Sequence, residues 1–399
     1  MIPNTYIYEV TKMIIKNAQV YTTEHKFVKK DLFIRKERFT AEIPDGTECG
    51  TEYGTEFGTG EEVIDAEGLY AIPGLVDIHF HGAMGHDFCD ANEEELQQIA
   101  RYEAEHGILA ICPATMSYNE EILTAIMDKA WKYRSSLQAD LVGINMEGPF
   151  LNTEKAGAQN PEYIMPADVD MFHRLQKRCN GLIKLVDLAP EFPESMDFIE
   201  KCHDEVKISL AHTNCDYETA SQAFCKGAGH VTHLYNGMGG IHHRKPGLII
   251  AAMEAGAEVE LIADGIHIHP AMVRFTFRTF GADRVILISD SMEAAGLSDG
   301  NYQLGGQAVT VTGATACLTD HPGVIAGSVT NLFDCMKNCV LHMGVPLEEA
   351  VGAASENPAK AIGIEKDYGR IAPGSYGNLI LMDEHLQIHK IIQKGRCLQ

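Results

Sequence analysis

Eight short apolar runs alternate along the chain with stretches that carry helix signals, and this alternation constrains the fold most strongly. In chain order the runs are GLVDIHFH, ILAICPAT, DLVGINMEG, IKLVDLAPE, VKISLAHT, HVTHLYN, VELIADGIH and RVILISDS. Between the first two runs, Asn92 can cap a helix and Glu95, three residues on, can close a capping box. Apolar strands that alternate with helices predict a parallel sheet, and eight such units can close into a TIM-type (β/α)8 barrel in the α/β class.

The two ends of the chain have a different pattern. Residues 13–71 and the segment after residue 364 combine short strand-like runs with Gly, Pro and Asn turns. We therefore predict a small, discontinuous β-sandwich domain of residues 1–72 and 365–399, which flanks a barrel of residues 73–364. A segment rich in Gly, Thr and Glu at about residues 45–62 is predicted to be a flexible hairpin insertion in this domain.

Length, charge and cysteine content exclude several classes of protein. The chain has 399 residues, which suffices for a barrel of about 250 residues and a companion domain. A formal net charge of -24 argues against a nucleic-acid surface, because phosphate binding needs clustered Lys and Arg. The sequence shows no signal peptide and no run of about 18 apolar residues, so neither secretion nor membrane spanning is expected. Eleven cysteines without CxxC pairing predict reduced thiols and a cytoplasmic location.

Six side chains that can bind a metal or move a proton stand at the downstream ends of these runs. They are His79, His81, Glu147, His212, His233 and Asp290. In a parallel barrel these strand ends form one face, and barrel enzymes carry their active sites there. The chain has 18 His in 399 residues, so four of them at three such strand ends would be unusual by chance. The sequence therefore predicts one metal-centred active site.

The spacing and chemistry of five of these residues predict metal binding. His79 and His81 are two residues apart, so their side chains lie on the same side of a strand and can chelate one cation. Glu147, His212 and His233 supply one carboxylate and two imidazoles from three further strands. This ligand set is typical of catalytic zinc with one open position, where water can be activated.

Asp290 and a second HxH pair complete the chemical inventory. Asp290 follows the last strand and is predicted to act as the acid/base that takes a proton from water and returns it to the leaving group. His267 and His269 form the second pair, which we expect on strand seven. The early position of the first pair, beside PGLVD, favours His79 and His81 as metal ligands.

Segments spread over nearly the whole chain resemble the N-acetylglucosamine-6-phosphate deacetylase family of the amidohydrolase superfamily. They are PGLVDIHFHG, MEGPFLN, LAHTN, THLYNGM, ADGIHI, LISDSMEAAG, IAGS, ENPAKAIGI and GRIAPGSYGNLILMD. The resemblance implies hydrolysis of the acetamide of a sugar phosphate, which releases acetate and glucosamine 6-phosphate. It also implies that Glu147, His212 and His233 hold the main metal and that Asp290 is the acid/base.

The resemblance also implies a set of substrate-binding residues. Asn236 and Gly237 match the pair that receives the sugar phosphate, in a glycine-rich turn whose N–H groups can approach an anion. Arg244 matches a phosphate-binding arginine that reaches in from the neighbouring subunit, which implies a homodimer. The other matches are the histidine that contacts the substrate and four positions that line its pocket: His267, Ala158, Ile325, Ala326 and Gly327.

Two features of the chain bear on the metal and on the sugar. His79 and His81 are intact, whereas some family members lack this pair and use one metal. One or two ions per subunit are therefore open, and the ligand types do not separate zinc from iron. Gln159 occupies a position where the family often has His, so the identity of the hexosamine is open as well.

Three alternative functions follow from the same residues. An N-acetylgalactosamine-6-phosphate deacetylase would keep every metal ligand and differ only in residues that face the sugar. A cyclic-amide hydrolase would bridge its metals with a modified lysine at the end of strand four, but in this run Lys184 is the second residue and the end is LAPE. A non-catalytic binding protein on a decayed barrel would lack metal ligands or the last aspartate, and this chain retains all of them.

Overall fold

The computed structural model describes residues 12–41, 61–133 and 138–398. The chain divides into two compact units, one of residues 1–74 and 365–399 and the other of residues 75–364. Most of the predicted insertion at about 45–62 lies outside the described residues, which resume at residue 61. Among the helices of the described part, none is long and apolar enough to cross a membrane.

Five strands near the start of the chain belong to the terminal unit. They are β1 (Lys12–Tyr21), β2 (Phe27–Arg35), β3 (Arg38–Thr40), β4 (Glu61–Asp65) and β5 (Tyr70–Pro73). β1 pairs with β2 in antiparallel orientation, and its two halves run parallel to β4 and β5. Met13, Ile15 and Val20 of β1 are buried in the core of this unit. The spacing of the first two follows the two-residue repeat of a strand with one face in the core.

Fifteen further strands lie in the described part of the larger unit, and each of the eight predicted runs overlaps at least one of them. They are β6 (Leu75–Asp77), β7 (Gly82–Ala83), β8 (His86–Asp87), β9 (Ile108–Ile111), β10 (Asp140–Leu141), β11 (Ile144–Glu147), β12 (Ile183–Leu188), β13 (Lys207–Leu210), β14 (His230–Val231), β15 (Glu258–Ile262), β16 (Val285–Ile288), β17 (Gly300–Leu304), β18 (Gln307–Thr312), β19 (Thr315–Leu318) and β20 (His321–Ile325). Every residue of β9, β11 and β16 is buried, as expected for parallel strands covered on both faces.

Helices alternate with the parallel strands of this unit. They are α1 (Glu93–Glu105), α2 (Glu120–Lys132), α3 (Val169–Arg178), α4 (Pro193–Cys202), α5 (Tyr217–Lys226), α6 (Gly247–Ala255), α7 (Pro270–Phe280), α8 (Leu332–Leu341), α9 (Leu347–Ala354) and α10 (Glu356–Ala361). The predicted capping box of α1 is present, because Asn92 accepts from the N–H of Glu95 and the Glu95 side chain accepts from the N–H of Asn92. Half of these helices, namely α1, α2, α3, α5 and α8, begin at an Asn or Asp cap, which satisfies backbone donors of the first turn.

The strands of the alternating pattern form two parallel sheets. One has the order β10-β9-β6, and the other runs from β11 to β16 in chain order. Backbone hydrogen bonds also link the sheets: the N–H of Asn145 donates to the carbonyl of Pro113 at 2.9 Å, and the N–H of Asp290 donates to that of His79 at 2.9 Å. All downstream strand ends in these sheets therefore point in one direction, as the sequence analysis required.

Three strands near the end of the chain complete the terminal unit. They are β21 (Leu379–Met382), β22 (Ile388–Gln393) and β23 (Arg396–Cys397). β21 pairs with β5, so both ends of the chain join one sheet of order β23-β22-β21-β5-β1-β2-β3, in which β4 also pairs with β1. Both ends of the described chain therefore contribute strands to one sheet. The arrangement of the terminal unit as a two-layered sandwich stays a prediction.

A four-stranded antiparallel sheet, β17 to β20, lies between β16 and α8 and was not predicted. Its sequence, NYQLGGQAVTVTGATACLTDHPGVI, has short alternating strands and Gly turns, which is a hairpin signal. The alternation of strands and helices on either side obscured this signal. The sheet matters for function because residues of β17 and β20 line the pocket described below.

Candidate active site

The six side chains singled out from the sequence lie together at the downstream end of the parallel strands. Glu147 is the last residue of β11, and the others follow β6, β13, β14 and β16 within four residues of each strand end. All six are buried, with at most 8% of the residue exposed. We call this group the site floor: His79, His81, Glu147, His212, His233 and Asp290.

Glu147 stands at the centre of the site floor. Its Oε1 lies 3.0 Å from Nε2 of His212 and 3.2 Å from Nε2 of His233, and those two nitrogens are 3.1 Å apart. Its Oε2 lies 3.4 Å from Nε2 of His81, and its Oε1 lies 3.7 Å from Nε2 of His79. One carboxylate therefore faces two pairs of imidazoles, one pair closer than the other.

The donor atoms of the site floor fit a divalent metal. Two ligand groups share Glu147, one with His79 and His81 and one with His212 and His233, and the ligand atoms within each group lie within 4.8 Å of one another. Two ligands of a tetrahedral zinc stand about 3.3 Å apart, close to the spacing in the second group. Nε2 of His79 is buried without a hydrogen-bond partner, as expected for a nitrogen that can coordinate a metal.

Backbone strain is concentrated at the same residues. His212, His233 and Asp290 have φ values of 42°, 28° and 49°, in the left-handed region that non-glycine residues rarely adopt. Such conformations cost of order 1–3 kcal/mol each and cluster at functional sites. Three strained residues in one group of six support a functional rather than a purely structural role.

The chain itself orients the imidazoles of the site floor. His212 donates from Nδ1 to the carbonyl of Lys155 at 2.7 Å, which leaves its Nε2 free to bind a metal. Glu260, an acid inside the apolar run VELIADG, accepts from Nδ1 of His79 at 3.0 Å and from the backbone N–H of His233 at 3.1 Å, both at Oε2. The sequence analysis missed Glu260, although a charged residue within a buried strand is itself a signal.

Asp290 lies beside the first pair of imidazoles, which lower its pKa. Its Oδ1 lies 3.3 Å from Nε2 of His81 and 3.7 Å from Nε2 of His79. Burial alone would raise the pKa of Asp290, but its hydrogen bond with His81 and the charges of the nearby imidazoles hold this pKa below its ordinary value. Glu147 behaves likewise, since the imidazoles overcome its burial and hold its pKa well below the ordinary value. Both carboxylates are therefore ionised at neutral pH.

Gln159 supports Glu147 directly. Its Nε2 donates to Oε2 of Glu147 at 2.7 Å, and its Oε1 accepts from the backbone N–H of Ser117 at 2.6 Å. The residue is 2% exposed. The sequence linked position 159 to the identity of the hexosamine, whereas the structure places its carboxamide between Glu147 and the backbone N–H of Ser117.

A cavity of about 370 Å³ opens above the site floor. Its walls come from the loops after β11, β14 and β15 and from the antiparallel sheet of β17 to β20. We call its outer, more exposed wall the pocket rim, defined as Asn236, Gly237, Val324 and Ile325. The size suits a small ligand such as a sugar phosphate, because binding pockets for small molecules start at about 300 Å³.

Gly237 at the pocket rim is required by its surroundings. Its φ is 62°, and a Cβ added there would stand 3.0 Å from Nδ1 of His212. A side chain would therefore be strained and would press on a residue of the site floor. Its neighbour Asn236 donates from Nδ2 to the carbonyl of His233 at 3.2 Å, so the turn is tied to the segment that carries His233.

Six of the eight predicted substrate-binding residues line the cavity: Ala158, Asn236, Gly237, His267, Ile325 and Gly327. The other two do not. Ala326 is completely buried, and its backbone N–H donates to the carbonyl of Ala316 at 3.0 Å. Arg244 is exposed, in a loop whose residues 239–245 are all exposed, and its guanidinium contacts the ring of His243 at 2.7 Å.

Neither HxH pair is on a strand, contrary to the expectation from sequence, because β6 ends at Asp77, two residues before His79. β15 ends at Ile262, and His267 and His269 lie in the loop that follows. His269 is exposed and accepts from the N–H of Ala271 as the cap of α7. His267 lines the cavity and contacts Asp264. Only one of the two is therefore available to a ligand in the pocket.

Comparisons with known proteins agree with this geometry. The sequence matches the family model described as "Amidohydrolase family" over residues 70–397. It is 38% identical to N-acetylglucosamine-6-phosphate deacetylase of Bacillus subtilis, an alignment that covers 81% of this chain and 83% of that protein. It is 31% identical to N-acetylgalactosamine-6-phosphate deacetylase of Escherichia coli O157:H7, over 81% of this chain and 86% of that protein.

Solved structures show the same likeness. A mutant of N-acetyl-D-glucosamine-6-phosphate deacetylase from Mycobacterium smegmatis, in complex with N-acetyl-D-glucosamine-6-phosphate, superposes with a TM-score of 0.87. The two sequences are 28% identical, and the match covers 97% of this chain and 99% of that one. The likeness therefore extends over both compact units.

Proposed function

The chain belongs to the amidohydrolase family, and from that premise we propose that it hydrolyses the acetamide of N-acetylglucosamine 6-phosphate to glucosamine 6-phosphate and acetate. The observation that carries the proposal is the position of Glu147, whose oxygens lie 3.0–3.4 Å from three imidazoles at the floor of the cavity. Relatives and structural neighbours named for this activity match across most of the chain. The geometry supports the position of the active site, and the names of the relatives support the choice of substrate.

The family is metal-dependent, and the site floor provides the ligands. A divalent metal there would supply Lewis-acid chemistry, activating water and polarising the amide carbonyl. We propose zinc or iron as the metal, since imidazole and carboxylate donors suit both. Glu147, His212 and His233 would hold the first ion, because their atoms are closest together. His79 and His81 would hold a second ion with Glu147 as a bridge.

Asp290 would carry the proton through the reaction. Its carboxylate is ionised, so it can accept the proton of the attacking water and then donate this proton to the nitrogen of the leaving amine. His267 lines the same cavity and would contact the acetyl carbonyl. The oxygen of water would first bond to the acetyl carbon, the amide C–N bond would then break as the nitrogen receives the proton from Asp290, and acetate and the free amine would leave.

The phosphate group would bind at the pocket rim with help from a second subunit. Asn236 and Gly237 line the cavity in a turn whose backbone can approach an anion. Arg244 lies in an exposed loop and does not line the cavity of its own subunit, which fits a role in the site of a partner. We therefore propose a homodimer in which Arg244 of each subunit completes the other site.

Complementation in trans tests this dimer. Co-expressed Arg244→Ala and Asp290→Asn chains would form mixed dimers with one intact site, made of Asp290 from one chain and Arg244 from the other. We expect the mixture to recover about a quarter of wild-type acetate release, while each variant alone stays far below that. A mixture no more active than its components would refute the shared site.

The same proposal includes a closed barrel, a terminal β-sandwich domain and a cytoplasmic location. The hydrogen bonds between the two parallel sheets, one from Asn145 and one from Asp290, support a closed eight-stranded barrel. The ten described cysteines are free thiols, which fits the reducing cytoplasm that the sequence predicts. The terminal unit would form the small β-sandwich domain expected from sequence.

The identity of the hexosamine is the nearest alternative, because one relative is named for N-acetylgalactosamine 6-phosphate. Purified protein should be assayed for acetate release with both 6-phosphorylated N-acetylhexosamines and with unphosphorylated N-acetylglucosamine. We expect the highest kcat/KM for N-acetylglucosamine 6-phosphate. Preference for the galacto epimer would reassign the sugar, and equal activity on the unphosphorylated sugar would remove the phosphate role of Asn236, Gly237 and Arg244.

A further inference from the structure

His267 contacts a buried carboxylate, that of Asp264, to which the proposed function gives no role. Asp264 follows β15 by two residues, and its Oδ1 accepts from the backbone N–H groups of Ile266 and His267, both at 2.9 Å. Its Oδ2 lies 2.7 Å from Nδ1 of the His267 ring. The two side chains are only 6% and 5% exposed. Both oxygens of Asp264 therefore contact a single short loop.

This contact determines which ring nitrogen of His267 serves the pocket. Nδ1 donates to Asp264, so Nε2 is the nitrogen left for a ligand in the cavity. In a neutral ring with its proton on Nδ1, Nε2 can only accept a hydrogen bond. In the imidazolium form both nitrogens donate. Only the charged ring can therefore donate to the carbonyl oxygen of an amide.

The charges around the pair favour the imidazolium. Burial of His267 opposes its charge, but the hydrogen bond with Asp264 overcomes this effect, and the pKa of His267 is raised above its ordinary value. Asp290, at the end of β16, acts in the same direction. On α8, burial raises the pKa of the Cys335 thiol next to Asp264 well above its ordinary value, so this neighbour is neutral.

We propose that Asp264 is a positioning residue, which orients His267 and keeps it as a hydrogen-bond donor from Nε2 to the acetyl carbonyl oxygen. The inference rests on the proposed function, because it assigns the carbonyl as the acceptor. Negative charge develops on that oxygen when water adds to the amide, and a charged donor stabilises it more strongly than a neutral one. Asp264 would thus contribute to catalysis without touching the substrate.

The direct test is the ionisation of His267 in zinc-loaded protein. The ring can be titrated by NMR in ¹⁵N-histidine-labelled samples, with its signals assigned from their loss in His267→Gln. In wild type we expect a midpoint above about 6.5, and in Asp264→Asn a midpoint lower by about one unit or more. Asp383→Asn is the matched control, since Asp383 pairs with His389 at 3.1 Å in the terminal unit. It should not move the His267 signals. An unchanged midpoint in Asp264→Asn would overturn the proposal.

A kinetic cycle separates positioning from general structural support. Asp264→Asn should lower kcat by about 10-fold or more in wild type and by less than about twofold in the His267→Gln background, because it acts through His267. Equal losses in both backgrounds would mean a structural role and overturn the proposal. This readout differs from failure of the proposed function, in which wild type itself would release no acetate.

The pH profile gives a second test that leaves Asp264 unchanged. The pKa of His267 is raised, so its donor is fully present below the ordinary pKa and is lost as pH rises through the raised value. Wild-type kcat should therefore fall on the alkaline side at the His267 midpoint. In His267→Gln this limb should be absent, because an amide donates at every pH. An identical limb in the variant would contradict the inference.

Discussion

The site floor and the pocket rim belong to one cavity but are built differently. Residues of the floor are at most 8% exposed, and three of its histidines are held by hydrogen bonds with Glu260 or with the carbonyl of Lys155. The rim is more open, and Ile325 is 36% exposed. Strand ends fix the floor, whereas loops and an edge strand carry the rim. From this difference we propose that the buried groups of the floor set the chemistry and that the more exposed groups of the rim set the choice of sugar.

The largest expected effect tests the floor at Asp290. Asp290→Asn keeps the size of the side chain but removes the base, so kcat should fall by about 10²- to 10⁴-fold. The metal content, measured by elemental analysis, should stay at the wild-type value. Asp283→Asn, an exposed neighbour in sequence, is the control and should be fully active. An active Asp290→Asn protein would defeat the assignment of the proton carrier.

Replacement of His79 and His81 tests whether the two ligand groups of the floor bind two metal ions. Wild type should bind two equivalents of metal, and the double variant His79→Ala/His81→Ala should bind one, because Glu147, His212 and His233 remain. His385→Ala, whose side chain is 78% exposed, is the control. One equivalent of metal in both proteins would show that His79 and His81 bind no second ion.

Gln159 lies between the two regions, since it lines the cavity but supports Glu147. Gln159→Ala should lower kcat/KM or metal affinity by about 10- to 100-fold, the usual cost of losing a partner of a metal ligand. Exposed Gln98→Ala serves as the control. If only KM for the sugar changes and the metal affinity does not, Gln159 belongs functionally to the rim.

The smallest expected effect tests the rim at Gly237. Ala at this position would have an unfavourable φ, which costs about 1–2 kcal/mol, and would press on His212. We expect a loss in kcat/KM of about 5- to 30-fold. Gly239→Ala in the same turn has open space around it and no positive φ, so it should have no effect. Equal kcat/KM values for Gly237→Ala and Gly239→Ala would show that the site does not specifically require glycine at position 237.

The sequence was most informative where burial and spacing restrict the choice of residue. Eight apolar runs predicted the parallel strands, and the position of each polar residue just after a strand predicted the site floor. Residues whose role depends on distant contacts were harder to find. Gln159 contacts Ser117, which is 42 residues away, and Glu260 contacts His79, which is 181 residues away. Such pairings arise only when the strands assemble.

The predictions from sequence also differed from the structure in the loops. His267 and His269 share an HxH pattern with His79 and His81, but His267 lies five residues after the end of β15, whereas His79 lies two residues after the end of β6. One of the two histidines therefore caps a helix while the other faces the cavity. The antiparallel sheet of β17 to β20 was missed because its hairpins interrupt the regular alternation of strand and helix.

The central claim is that the site floor makes this chain a metal-dependent deacetylase of N-acetylglucosamine 6-phosphate. The most direct measurement is acetate release from that substrate by protein stripped of metal with a chelator and then titrated with zinc. Activity should be absent after stripping and should return as one to two equivalents of zinc bind per subunit. Full activity in the stripped protein, or no acetate release at any zinc content, would contradict the account.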